Sequence, residues 1–114
     1  MGISVKAGKA KGRRLQNHVR DELREIFPLL DDDDIKSQTM GMSGEDIVLS
    51  PAAKKEIRYS FECKNVERLD LWGSIQQAES NCEDRTPVLV MKRNKSKVYV
   101  VFEFVKFLEL IDKA

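Results

Sequence analysis

Along residues 15–30 the apolar positions Leu15, Val19, Leu23, Ile26 or Phe27, and Leu30 recur at spacings of three and four. That period marks one apolar stripe on a helix, and Pro28, which has no backbone N–H, ends or kinks it. The pattern then changes. Residues 35–40 read as a short strand, Gly41, Ser43 and Gly44 as a flexible turn, and residues 46–50 as a second strand, with Ile47, Val48 and Leu49 inside it and Pro51 stopping it.

Residues 57–64 alternate most clearly. Ile57, Tyr59, Phe61 and Cys63 fall on one face of a strand, and Arg58, Ser60, Glu62 and Lys64 on the other. The first face is expected to pack on a core and the second to look onto a cleft or water. Residues 71–83 fit a helix with Asp70 as N-cap and Leu71, Ile75 and Ala78 on its buried side. Residues 88–91 and 97–104 read as apolar strands joined by the polar hairpin turn Arg93-Asn94-Lys95-Ser96, and residues 106–112 as a closing helix. The order is αβββαββα, which predicts a mixed α/β protein with helices covering a central sheet.

Composition narrows the class. A chain of 114 residues buries roughly 60–70% of its extended surface, enough for one core. The longest apolar run, Val98 to Phe102, is five residues, against the roughly 20 that a membrane helix needs. No secretory signal is expected, because the basic N-terminus has no apolar stretch behind it. Cys63 and Cys82 make neither a disulfide framework nor a CxxC knuckle, and His18 is the single histidine, which excludes His-rich metal sites. Together these features argue against a secreted, membrane-spanning or zinc-finger protein and make a reducing cytoplasm the expectation.

The net charge of +1 conceals an asymmetry. Residues 1–20 carry Lys6, Lys9, Lys11, Arg13, Arg14 and Arg20 and no acid, whereas residues 21–34 carry Asp21, Glu22, Glu25 and four consecutive aspartates against Arg24 alone. Residues 1–12, with glycines at 2, 8 and 12, read as a basic flexible arm suited to an anionic partner or serving as a solubilising tail, and residues 13–114 as a single domain. The aspartates from Asp31 to Asp34 are contiguous and lack the spacing and central glycine of a calcium loop, so they read as an exposed loop or the approach to a strand.

Candidate chemistry centres on Asp46, Glu62 and Lys64. Glu62 and Lys64 are two apart on one strand and so leave the same face, and Asp46 opens the neighbouring strand just after a glycine turn. Two carboxylates converging at about 4–6 Å repel unless a cation lies between them, and Mg²⁺ takes one or two carboxylates plus water and phosphate oxygens. A lysine beside the ion holds a water in line with phosphorus or neutralises charge growing on it. A surface Glu-Lys pair on an exposed strand is the plain alternative.

These residues resemble a known signature. Gly44-Glu45-Asp46 followed by Phe61-Glu62-Cys63-Lys64, with sixteen residues from Asp46 to Glu62, is similar to the PD-(D/E)xK motif of the restriction-endonuclease-like nucleases. Lys11-Gly12-Arg13-Arg14 leading into the first helix resembles the start of archaeal-type Holliday-junction resolvases, as do the turn Gly41-Met42-Ser43-Gly44 and the glutamine Gln77 on the later helix. The likeness runs from about Lys11 to Phe104 and extends to small phage-encoded members of the superfamily. It implies a three-layer core around a mixed sheet and Mg²⁺-dependent hydrolysis of DNA, with Mn²⁺ able to substitute. A homodimer acting on branched DNA, in the cytoplasm of a phage-infected bacterium among other settings, is the implied context. It further implies that Asp46, Glu62 and the Cys63 carbonyl bind metal, that Lys64 positions the nucleophile and Gln77 orients Lys64, and that Lys9, Lys11, Arg13, Arg14 and Ser43 meet DNA.

The signature is departed from twice. Glu45 stands where it has proline, and Gln16 stands where the resolvases carry a metal-proximal glutamate, so Gln16 would act through a water and Glu22 is the alternative. Nuclease action on nicked, flapped or plain duplex DNA, and a non-catalytic DNA-binding subunit, are the other readings. Trp72 is expected to pack in the core, and His18 to lie on a helix surface.

Overall fold

Leu15 and Val19, one helical turn apart, are both buried, and the stripe they anchor forms α1 (Val5–Ile26) in a computed structural model that describes residues 5–114. The helix begins eight residues before the expected boundary. Residues 5–12, expected in the flexible arm, are its first two turns, and residues 1–4 of that arm lie outside the described residues. Lys, Ala and Arg are strong helix formers, and their sum outweighs the glycines at 8 and 12. The helix ends before Pro28, leaving Phe27 and Leu30 to pack against the core from the following turn.

A 3-10 turn (Asp32–Asp34) then leads into β1 (Ile35–Ser37), which pairs antiparallel with β2 (Ile47–Leu49), Ile35 opposite Leu49 and Ser37 opposite Ile47. Both strands are shorter than the sequence pattern suggested. The aspartates have structural work here. Asp34 Oδ2 accepts from the Asp31 N–H (2.8 Å) and Oδ1 from the Ser50 hydroxyl (2.6 Å), which hold its carboxyl below the usual range, the Ser50 bond foremost.

Sequence patterning missed α2 (Pro51–Glu56). Pro51 does stop β2, but as a residue in the first turn of a helix, where its missing N–H costs nothing, and the Ser50 hydroxyl caps that helix by accepting from Ala53 N–H at 3.1 Å. Next come β3 (Tyr59–Asn65), α3 (Leu71–Asn81), β4 (Thr86–Lys92), β5 (Tyr99–Val101) and α4 (Phe104–Lys113). β3 runs parallel to β4 from Tyr59–Thr86 to Asn65–Lys92, with α3 as the crossover, and β5 returns antiparallel along β4. Asp70 caps α3 as expected, its side chain accepting from Gly73 N–H.

The result is a mixed α/β protein, but its strands divide into two sheets, β1-β2 and β3-β4-β5, where one was expected. One core joins them: Ile35, Ile47, Leu49, Ala53, Ile57, Cys63, Val88 and Val90 close against Leu15 and Val19 of α1. Ser60 and Glu62, on the face expected to see a cleft or water, are only 2% exposed. A strand inside a parallel pair is covered on both sides, and α3 covers this one. No helix among the described residues is long and apolar enough to cross a membrane.

Ser50 both caps α2 and holds Asp34, so Ser50→Ala is expected to lower stability by about 1 kcal/mol, read as a lower urea midpoint at unchanged slope.

Candidate active site

The two edges of β3 have different partners. Arg58 O accepts from Thr86 N–H and Val66 N–H donates to Lys92 O, both at 3.1 Å, so the even-numbered backbone groups of this stretch face β4. Those of Tyr59, Phe61 and Cys63 face the other edge. There Phe61 O accepts from Asp46 N–H (3.1 Å), and Tyr59 O accepts from the Arg85 guanidinium (3.1 Å). Asp46 completes this edge with its side chain, Oδ2 accepting from Cys63 N–H at 2.7 Å. The turn that delivers Asp46 passes through Gly41 at φ +85° and Gly44 at φ +101°, conformations that favour glycine.

Glu62 and Lys64 point to the α3 side, with Lys64 Nζ 3.7 Å from Glu62 Oε2; the lysine side chain is 31% exposed and the glutamate 2%. Burial, and then the Asp46 charge, push the Glu62 carboxyl up to about 7, with Lys64 pulling against them. Asp46 is raised too, by burial, against the Cys63 N–H, its neighbour Glu62 and the Lys64 charge. Ionising both carboxyls is thus opposed by burial and, at Glu62, by the Asp46 charge as well. Glu62 Oε1 is buried without a hydrogen-bond partner.

Two mutually repelling carboxyls, one with an orphaned oxygen, together with the Cys63 carbonyl on the Asp46 edge, form an all-oxygen donor set. That set fits a hard divalent cation completing its shell with water. Among the described residues no three His, Cys, Asp or Glu side chains gather as a metal cluster, so the candidate set has two carboxyls. The Cys63 thiol is pushed far up by burial and behaves as a small core hydrophobe.

Other expected residues fall outside this group. Gln16 is buried on α1 and its Oε1 has no partner, but no hydrogen bond joins it to Asp46, Glu62 or Lys64. Glu22 is exposed, off the buried stripe. Gln77 is exposed on α3 and makes no side-chain hydrogen bond to Lys64. The residue that α3 does bring to the site is Asn81. Its Nδ2 donates to Gly44 O at 3.3 Å, and its amide favours the charged form of Glu62. Asn81 lies one turn beyond Gln77 on nearly the same helical face, at the end of α3 that reaches the Gly44 turn.

Lys9, Arg13, Arg14, His18 and Ser43 are exposed, but Lys11 is 7% exposed with Nζ 3.7 Å from Glu67, which withdraws it from any phosphate. Trp72, expected in the core, is 78% exposed at the start of α3, because Ser74 and Ala78 occupy the inward face instead.

Glu45, the departure from proline, has its own partner. The fully buried Arg85 side chain is held by Glu45, by Glu83 at 2.9 Å and by the Tyr59 carbonyl. Glu83 in turn takes Lys54 Nζ at 2.8 Å. This ion network fixes the backbone immediately before Asp46, and nothing in the local sequence pairs residues 45 and 85.

No family model matches the chain, and no curated protein or solved structure matches it.

Two outcomes follow. Glu62 keeps its proton to about pH 7 when folded but only to its ordinary 4.5 when unfolded, so between those values the folded state binds more protons and stability falls as pH rises. Glu62→Gln removes that loss. The variant is expected to melt at a higher temperature than the parent at pH 8, by an amount equivalent to about 1–3 kcal/mol, and at a similar temperature at pH 4.5. Glu45→Ala strips a buried charge of its partner and is expected to cost about 3 kcal/mol or more in denaturant unfolding, with Glu45→Gln costing less.

Proposed function

We propose that this chain is a Mg²⁺-dependent DNA endonuclease of the PD-(D/E)xK kind, hydrolysing phosphodiester bonds with selectivity for branched DNA such as a Holliday junction. The observation that carries this reading is the neighbouring carboxyls of Asp46, held by the Cys63 amide, and the buried Glu62, with the Lys64 ammonium 3.7 Å from Glu62. A structural role has no use for two carboxyls in conflict, one of them buried. The element order also supports it: a helix, an antiparallel pair with Asp46 just before its second strand, the short helix α2, the strand bearing Glu62 and Lys64, a crossover helix, and a parallel neighbour.

In this reading Asp46, Glu62 and the Cys63 carbonyl hold the cation, and Mn²⁺ substitutes for Mg²⁺. When bound, the ion polarises the phosphate and makes its own water more acidic. Asp46 is aimed by the Cys63 amide and by the Asn81–Gly44 bond that steadies its turn. Lys64, partly open to solvent, offers its ammonium to the attacking oxygen or to charge growing on the phosphorus oxygens. Lys9, Arg13 and Arg14, exposed on α1, contact the phosphate backbone and position the DNA without reading its sequence. Gln16 brings no charge, so the chemistry relies on two carboxylates. The active form is a homodimer presenting two such sites to the branch.

The test is cleavage of a four-way junction beside linear duplex of the same sequence, with and without Mg²⁺. Junction cutting that needs the ion is expected. Asp46→Asn, which keeps an acceptor for Cys63 N–H, and Glu62→Gln and Lys64→Ala are each expected to slow it by at least about 100-fold while the proteins stay folded. Near-parental cutting by any of the three overturns the site. Equal cutting of duplex makes this an unselective nuclease, and tight binding without cutting makes it a DNA-binding subunit.

A further inference from the structure

The last element of the chain is apolar yet unburied. In α4, Phe104, Val105, Phe107, Leu108, Leu110 and Ile111 are each between 41 and 69% exposed, and no residue of the helix is buried. The adjoining Tyr99 and Val100 of β5, an edge strand, are more than half exposed as well. Summed over helix and strand, these side chains leave on the order of 700 Å² of apolar surface, near the roughly 800 Å² per partner of a stable interface. Only Lys106, Glu109, Asp112 and Lys113 break the apolar circumference.

The same chain carries a matching receptor. Between α3 and β4-β5 lies an apolar groove of about 360 Å³, lined by Trp72, Ile75, Pro87, Val101 and Phe102 among others, with Glu79 and Glu103 at its rim. Phe107 meets Phe102 edge-on with ring centroids 6.3 Å apart, which places the first turn of α4 beside the groove without filling it. The exposure of Trp72 becomes intelligible as one wall of that receptor.

We propose that the occupant is a second copy of this chain: α4 of each protomer docks in the α3–β5 groove of the other, closing a two-fold dimer by reciprocal helix exchange. Both halves of the contact are on one sequence, so a two-fold axis satisfies them at once. The surface lies on elements other than β2 and the Gly44 turn, and the pairing stands whether or not the site cleaves DNA.

The experiment is sedimentation equilibrium of the full chain across micromolar concentrations, with Ile111→Glu on the helix and Trp72→Glu on the groove. Both positions are exposed in the single chain, at 55 and 78%, so neither change disturbs its own fold, and circular dichroism checks this. A two-chain mass for the parent, with each substitution weakening dimerisation at least about 30-fold, as loss of an interface anchor does, is the expected result. A parent that stays monomeric overturns the proposal. So does a dimer that survives either substitution, because reciprocal exchange requires both surfaces.

Discussion

The edge of β3 that has no neighbouring strand is the constraint on which the rest of the fold depends. A backbone N–H or C=O buried without a partner costs about as much as a lost hydrogen bond, and this strand exposes several of them toward the core side. Asp46 answers two, giving its N–H to Phe61 and taking the Cys63 N–H on its side chain, and Arg85 answers a third at Tyr59. A side chain thus does the work of a missing ladder rung. This is also why the strands fall into two sheets: β2 touches β3 through Asp46 and then α2 carries the chain away before a ladder can extend.

How legible this was in the sequence depended on what each pattern encodes. Period 3.6 found α1 and α3, and period 2 found β3, because each period reflects an apolar face set apart from a polar one. Alternation says only that two faces differ, however, and not that the polar one is wet. Ser60 and Glu62 lie under α3 because β4 arrives parallel and needs a crossover helix, a fact about residues more than twenty positions away. Pro51 was read as a stop when it was also a start, since six residues are too few to establish a helical period. At the other end, glycines at 8 and 12 suggested a loose arm, while a run of good helix formers decided the matter.

The candidate site divides along the same line. Asp46, Glu62 and Lys64 were visible because their spacing on strands fixes their geometry locally, and the structure brings the two carboxyls together with the lysine beside Glu62. Gln77 and Asn81, four residues apart, share a helical face and differ by one turn along it; which turn reaches the site depends on how α3 lies against β3, and its inward face includes Ser74, a serine that no hydrophobic count would place there. Glu45 looked like a simple loss of proline. Its partner forty residues on turns it into a charge that the buried Arg85 requires, so the rigidity a proline would give the turn arises here from an ion pair.

The balance of costs ties these parts together. Arg85 is a buried charge with partners on three sides, apart from Nε, and its pKa is raised by Glu45 and Glu83 against the burial that would lower it. Glu62 is a buried charge whose nearest neighbours include another carboxyl, and it responds by holding its proton up to about pH 7. Both occupy the same side of the molecule, within a few residues of Asp46 along the chain or across the strand. In the first case the fold has met the expense of burial with pairing; in the second it has left the expense standing and stiffened everything around it. Stability alone would favour a neutral side chain at position 62, since burial penalises only the charged form. The charged form of Glu62 is instead left beside an aspartate held by the Cys63 amide and a lysine partly open to solvent, the arrangement on which the proposed cation site rests.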